Sequence, residues 1–272
     1  MGYQLLATDM DGTLLDSKKE IPAENREAIN RALEMGKHIV MSTGRCMAEL
    51  KEFFPLFPRM RYVLGESGAC IYDLAEQKVI RQLELEPSVT EQVIRYVRQK
   101  DIMVQALVHG EAVMNASDIA RLGHFYMSHY ENHFRKTGTF VEDVCDYCRQ
   151  AGWQVEKLCL YHPSQQAREQ TLAFVRDMPV TPAFSEQTSL ELTPVGADKG
   201  AGLEILCAYL DIPLAQTIAV GDGFNDMTIL RKAGLAVAVG NAEEAVKAVC
   251  DAVVADNDSC GVKQAIVDYL LE

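Results

Sequence analysis

Positive charge is what this 272-residue chain has little of: 26 Lys and Arg stand against 39 Asp and Glu, a formal net charge of −13. A nucleic-acid binder needs basic surface to neutralise backbone phosphates, so no nucleic-acid partner is expected. Long apolar runs are missing too. Segments such as Leu235–Val239 fall far short of the roughly 18 residues a membrane-spanning helix needs, so no membrane partner is expected. No basic region followed by an apolar stretch precedes Asp9. That argues against a secretory signal and makes a cytoplasmic location the default expectation. There is no internal repeat and no low-complexity tract. Disorder is a poor reading of a chain that is 48% hydrophobic and 24% charged. Of the eight cysteines, only Cys145 and Cys148 have the C-x-x-C spacing. No second Cys or His pair lies at zinc-ribbon spacing, so reduced, mostly buried thiols are expected.

What is present is a rhythm of short apolar strands and helices. Gln4–Thr8, His38–Met41 and Tyr62–Leu64 read as buried strands, with helices over Pro22–Met35 and roughly Met47–Phe54. The C-terminal third repeats it. Strands at Thr217–Val220, Leu235–Val239 and Ala252–Ala255 alternate with helices at Lys199–Leu210, Asp226–Lys232, Glu243–Val249 and Val262–Leu271. Such alternation implies βαβ units on a parallel sheet. The middle reads differently. Helices are expected at Val89–Gln99 and Gln165–Arg176, and strands at Met103–Val108, Ala112–Asn115 and Leu158–Tyr161. Five of the six histidines fall there: His109, His124, His129, His133 and His162. The expected fold class is α/β: a Rossmann-like parallel-sheet core over 1–83 and 187–272, with an inserted α+β lobe over 84–186.

Ligands of open α/β sheets bind beyond the carboxyl ends of the strands. Three strands deliver polar residues at that end: Asp9-Met10-Asp11-Gly12-Thr13, Ser42-Thr43-Gly44-Arg45, and Gly221-Asp222-Gly223-Phe224-Asn225-Asp226. Asp198-Lys199-Gly200 opens a helix ahead of the last. Each alone is an ordinary turn or helix cap; together, in this order, they point to one site. Asp9, Asp11 and Asp222 converging would repel strongly unless a hard divalent cation joined them, and oxygen ligands favour Mg²⁺. A carboxylate can also serve as nucleophile toward phosphorus. An acid two residues further along an extended segment points to the same side, so Asp11 is placed to protonate a leaving alcohol and then activate water. Lys199, the hydroxyls of Ser42 and Thr43, and the Gly44 amide supply the cation and donors that a transferring phosphoryl group needs. Gly12 and Gly223 let the backbone approach it closely.

At these residues the chain resembles the haloacid dehalogenase superfamily, and within it the Cof-type sugar-phosphate phosphatases, which carry a large inserted cap. The resemblance runs over the whole chain in order. It implies Asp9 as nucleophile and metal ligand, Asp11 as acid/base with its backbone carbonyl on Mg²⁺, and Asp222 as metal ligand with Asp226 supporting it. Met10, Ser42, Thr43, Gly44, Lys199 and Asn225 would hold the phosphate, and the middle segment would be the cap. The implied partner is a small phosphorylated metabolite, taken by a monomer or homodimer. The chain departs from the family pattern at Gly65-Glu66-Ser67-Gly68-Ala69, where Ser67 stands in place of the usual Asn.

Other residues read more plainly. Glu66 is expected as a surface charge, Phe125-Tyr126 and Trp153 as core, and Arg45 as a helix-start arginine pairing with nearby acids. Asn241 is expected either to support the metal aspartates or to cap the next helix. Two other functions compete with phosphatase. A phosphomutase would want several convergent bases in the cap, where Arg95, Arg98, Arg121, Arg135 and Lys136 are candidates. A non-catalytic phosphate-binding regulator would want Asp9 or Asp11 lost, and both are present.

Overall fold

The computed structural model describes residues 2–272. In chain order the strands are β1 (Leu5–Thr8), β2 (His38–Ser42), β3 (Tyr62–Gly65), β4 (Cys70–Asp73), β5 (Lys78–Gln82), β6 (Met103–Val108), β7 (Glu111–Asn115), β8 (Gly138–Val141), β9 (Lys157–Tyr161), β10 (Val180–Ala183), β11 (Ser189–Pro194), β12 (Thr217–Gly221), β13 (Leu235–Ala238) and β14 (Ala252–Val253). Among the described residues they form two sheets. One has eight strands in the order β14-β13-β12-β1-β2-β3-β4-β5; the other has six in the order β10-β11-β9-β6-β7-β8.

The strands of the first sheet from β14 to β3 run parallel, and β4 turns back against β3. Runs such as Leu-Leu-Ala-Thr and Thr-Ile-Ala-Val-Gly are buried at every residue. A parallel strand covered on both faces requires that composition. Register then places the site. Thr8 pairs with Met41 on one side and Val220 on the other. The residues that follow each partner, Asp9, Ser42-Thr43 and Gly221-Asp222, therefore leave the sheet side by side at its carboxyl edge.

The second sheet is antiparallel except for the β7–β8 pair. One of its faces is closed by the helices Pro87–Arg98, Val144–Gln150 and Gln165–Val175, whose apolar residues pack on Val104, Ala106, Leu158, Leu160, Leu190 and Leu192. This is an α/β fold with a parallel-sheet core and an inserted α+β unit.

The chain packs as two compact units: 2–44, 52–81 and 198–272 make the first, and 45–51 with 82–197 the second. These limits differ from the expected ones in three places, the first being residues 82–83, expected in the core and found in the inserted unit. Residues 187–197 belong to the inserted unit, because β11 pairs with both β9 and β10. Residues 45–51 belong there too, since the Ala48 N–H donates to the Gly110 carbonyl at 2.9 Å and Gln105 Nε2 donates to Glu49 Oε1 at 3.2 Å. The helix expected over Met47–Phe54 is shorter, Met47–Leu50, followed by a 3₁₀ turn at Phe54–Leu56. Pro55 lies in the first turn of that 3₁₀ segment and cannot continue an α-helix. No helix among the described residues is long and apolar enough to cross a membrane.

Candidate active site

The site is built on β1, β12 and the helix Lys199–Leu210, all in the first unit. The Asp9 N–H donates to the Val220 carbonyl at 2.9 Å, extending the β1–β12 ladder by one bond. Asp198 caps the helix by accepting from the Ala201 N–H at 2.8 Å. Lys199, the first helical residue, is fully buried, and its Nζ donates to Asp9 Oδ1 at 2.6 Å and Asp226 Oδ1 at 2.7 Å. Asp226 Oδ2 accepts the backbone N–H groups of Asp222 (3.0 Å) and Gly223 (3.1 Å). Thr13 Oγ1 donates to Asp222 Oδ1 at 2.7 Å. One carboxylate oxygen from each of Asp9, Asp222 and Asp226 lies within 4.8 Å of the others. Gly12 is required where it stands: its φ is +81°, and a Cβ there would lie 2.5 Å from Asp222 Oδ2.

The electrostatics follow from crowding acids in a dry place. Burial pushes the Asp9 carboxyl well above the usual range, Asp226 and Asp222 push the same way, and Lys199 opposes them. The Asp222 carboxyl is likewise raised, first by burial and then by Asp226, against the Thr13 hydrogen bond. Burial alone would lower the Lys199 ammonium, but Asp226 and Asp9 hold it above the ordinary lysine range. Three acids and one base leave a surplus of negative charge, with oxygen donors only. That donor set fits a hard divalent cation such as Mg²⁺.

The other expected residues fall around this cluster. Asp11 lies outside it; its carboxylate is 35% exposed and accepts from Lys19 Nζ at 3.0 Å. Met10 is buried, and its carbonyl accepts the Thr13 and Leu15 N–H groups at 3.3 and 2.8 Å. Ser42 and Thr43 are buried at the end of β2, and Ser42 Oγ has no hydrogen-bond partner among the described residues. Gly44 is half-buried and Asn225 is exposed. Glu66, expected at the surface, is fully buried. The chain doubles back there, with Glu66 and Ser67 at φ 56° and 58° and the Ser67 N–H on the Thr43 carbonyl at 2.9 Å. Among the described residues Asn241 has no hydrogen bond to an aspartate carboxylate; its Nδ2 donates to the Gly12 carbonyl.

In the second unit the histidines do not gather. His162 is buried between the Thr188 carbonyl and Thr171 Oγ1, His124 meets Asp101, His129 meets Glu186, and His133 meets Glu49. The arginines are likewise taken up locally: Arg95 by Glu91, Arg98 by Asp143, Arg121 by Asp101 and Arg135 by Glu131. Phe125 is core, as expected, and Trp153 packs against the helix-covered cluster, but Tyr126 is exposed. All eight cysteines are free thiols, six of them buried.

Sequence reading missed a polar row on this sheet. Gln105, Cys159 and Glu191 are direct partners across β6, β9 and β11 and so share a face, with Lys157 and Tyr161 on the same side of β9. Lys157 pairs with Glu191 at 2.6 Å, Tyr161 donates to Gln105 Oε1 at 2.8 Å, and Gln105 donates to Glu49. Burial would raise the Glu49 carboxyl, but the His133 hydrogen bond and charge, with the Cys46 N–H, bring it below the usual range. The period-two alternation Lys157-Leu-Cys159-Leu-Tyr161 was the available signal.

The chain is similar to known proteins over nearly its whole length. A family model described as haloacid dehalogenase-like hydrolase matches residues 6–266. The chain is 27% identical to the 5-amino-6-(5-phospho-D-ribitylamino)uracil phosphatase YcsE of Bacillus subtilis, over 98% of this chain and 96% of that one. It is 26% identical to the pyridoxal phosphate phosphatase YbhA of Escherichia coli over the full length of both. A crystal structure of a haloacid dehalogenase-like hydrolase from Bacteroides thetaiotaomicron superposes with a TM-score of 0.86 at 25% identity, covering 98% of this chain and 99% of that one. With the family model spanning nearly the whole sequence, this chain belongs to the haloacid dehalogenase-like hydrolase family.

Proposed function

We propose that the protein is a magnesium-dependent phosphatase of small phosphorylated metabolites, working through an aspartyl-phosphate on Asp9. The observation that carries this is the meeting of Asp9, Asp222 and Asp226 within 4.8 Å, with Lys199 between two of them. Asp226 has both oxygens engaged, by Lys199 and by two backbone N–H groups, which suits a supporting role. Asp9 and Asp222 each have Oδ1 in a hydrogen bond; these two carboxylates would hold the ion, and an Asp9 oxygen would attack phosphorus. Mg²⁺, when bound, would neutralise negative charge on these carboxylates and on the phosphoryl group.

The chain's own residues account for the rest. An Asp9 oxygen forms a bond to phosphorus as the ester oxygen departs with a proton from Asp11. Water then attacks the phosphorus, gives its proton to Asp11, and releases phosphate with Asp9 restored. Lys199 stays charged, holds Asp9 in line and meets the charge on the equatorial oxygens. Ser42 Oγ, buried with no partner, is free to donate to a phosphate oxygen, alongside Thr43, the Gly44 amide, the Met10 segment and Asn225. Asp11, a third exposed, can exchange its proton with solvent between the two half-reactions.

The relatives named for pyridoxal phosphate and for a ribitylaminouracil phosphate support a phosphomonoester of that size and polarity. The phosphomutase reading loses ground because four of the five cap bases considered for a second phosphate sit in ion pairs with their own neighbours. Phosphate release from p-nitrophenyl phosphate and a panel of phosphorylated metabolites tests the reading. Release should require Mg²⁺ and be lost in Asp9→Asn, whose amide is a poor nucleophile, while circular dichroism stays native. Activity that survives chelation or this substitution would refute it, and isomerised sugar phosphate without free phosphate would favour the mutase.

A further inference from the structure

Outside the carboxylate cluster, one short segment holds both acidic loops. Asn241 Nδ2 donates to the Gly12 carbonyl at 2.8 Å, and two residues later the Glu243 N–H donates to the Asp222 carbonyl at 3.0 Å. The far end of the Asn241 amide is fixed as well, since its Oδ1 accepts the Asn257 N–H at 3.0 Å. The Gly12 carbonyl and the Thr13 N–H are opposite edges of one planar peptide. The Thr13 N–H donates to the Met10 carbonyl at 3.3 Å, so Asn241 and Met10 grip that plane from both sides. Directly beyond it, the Thr13 hydroxyl donates to Asp222 Oδ1. The same peptide borders Gly12, where the backbone passes so close to Asp222 that a Cβ would stand 2.5 Å from its Oδ2.

We infer that Asn241 is a positioning residue. It sets the tilt of the Gly12–Thr13 peptide, and through Thr13 it sets how the Asp222 carboxylate faces Asp9. A tilt of that plane shifts the gap between the two carboxylates that share the cation, and geometric errors on the ångström scale are costly to catalysis. The inference rests on the phosphatase reading for its catalytic consequence. Its structural content stands separately: Asn241 acts on metal affinity through Gly12 and Thr13, without a hydrogen bond to an aspartate carboxylate among the described residues.

Asn241→Ala is compared with Asp258→Ala, whose carboxylate accepts the Ser17 N–H at 2.8 Å and so ties the turn that holds Asn257 to the chain beyond the Asp9–Thr13 loop, away from the site. Asn241→Ala should lower kcat by about 10–100-fold with KM changed less than about threefold, and weaken Mg²⁺ binding in titration calorimetry by about tenfold. Asp258→Ala should lower Tm comparably while kcat and Mg²⁺ affinity stay within about twofold of the parent. Asn241→Asp keeps the acceptor for Asn257 but turns an oxygen toward the Gly12 carbonyl, so it should be as impaired as Asn241→Ala; being near-isosteric, it carries the test if the alanine variant does not fold. Parental kcat and Mg²⁺ affinity in the Asn241 variants would overturn the inference, and so would losses that follow Tm alike in all the variants. If the parent protein hydrolyses no phosphate ester, the functional reading fails, and the calorimetric comparison still decides the role of Asn241.

Discussion

The Lys199 ammonium donates to Asp9 Oδ1 at 2.6 Å with both side chains almost wholly enclosed. Asp226 takes the same ammonium at 2.7 Å, so one cation lies between two buried carboxylates. Such a lysine fixes the Asp9 carboxylate in place and cancels repulsion between the acids.

Replacing Lys199 should therefore damage both rate and stability. Lys199→Ala removes a charged donor whose loss costs on the order of 10²–10³ in kcat. It also leaves Asp9 and Asp226 facing each other, a buried-charge defect worth about 3–5 kcal/mol in the absence of Mg²⁺. Steady-state kinetics with urea unfolding reads both effects. A change confined to KM would remove Lys199 from transition-state stabilisation.

The parts of this arrangement that were legible in the sequence are those where a local rule and the tertiary structure agree. The runs before Asp9, Ser42 and Asp222 are apolar because both sheet faces are covered, and they stop where the chain leaves the sheet. The helix Lys199–Leu210 begins and ends where expected, after the Asp198 cap and before Asp211 in the left-handed region. Pro182 interrupts the pattern of β10 and Pro194 closes the short run of β11; Pro182 is tolerated because β10 is an edge strand. The Asn241–Gly12 bond spans 229 positions and has no periodic signature. Histidines close in sequence form no shared site because each meets a different acid, even though His129 and His133 both pack on Tyr130.

The Lys157–Glu191 pair invites a double-mutant cycle. With Lys157 3% and Glu191 17% exposed and 2.6 Å apart, the two charges support each other on an otherwise substantially apolar unit. Lys157→Met alone strands a carboxylate and Glu191→Leu alone strands an ammonium; each should destabilise by about 3–5 kcal/mol. Together they should cost far less than the sum, and a coupling near zero in urea unfolding would show that the pair does not act as a unit.

Glu156 gives the stability a pH dependence with a definite sign. The side chain is fully buried; its Oε1 accepts the His109 N–H at 2.8 Å, and its Oε2 has no hydrogen-bond partner among the described residues. Burial, helped by the charge of Glu84 and opposed by backbone N–H groups, raises its pKa from 4.5 to about 7. Between those values the folded chain holds a proton that the unfolded chain has lost, so this group's contribution falls as pH rises from about 4.5 to about 7. The full effect is on the order of 3 kcal/mol. Glu156→Gln keeps the carbonyl acceptor and cannot ionise, so it should match the parent near pH 5 and exceed it in stability at pH 8. Urea unfolding of both proteins at the two pH values measures this directly. A difference between them that does not change with pH would mean that Glu156 does not titrate in that window.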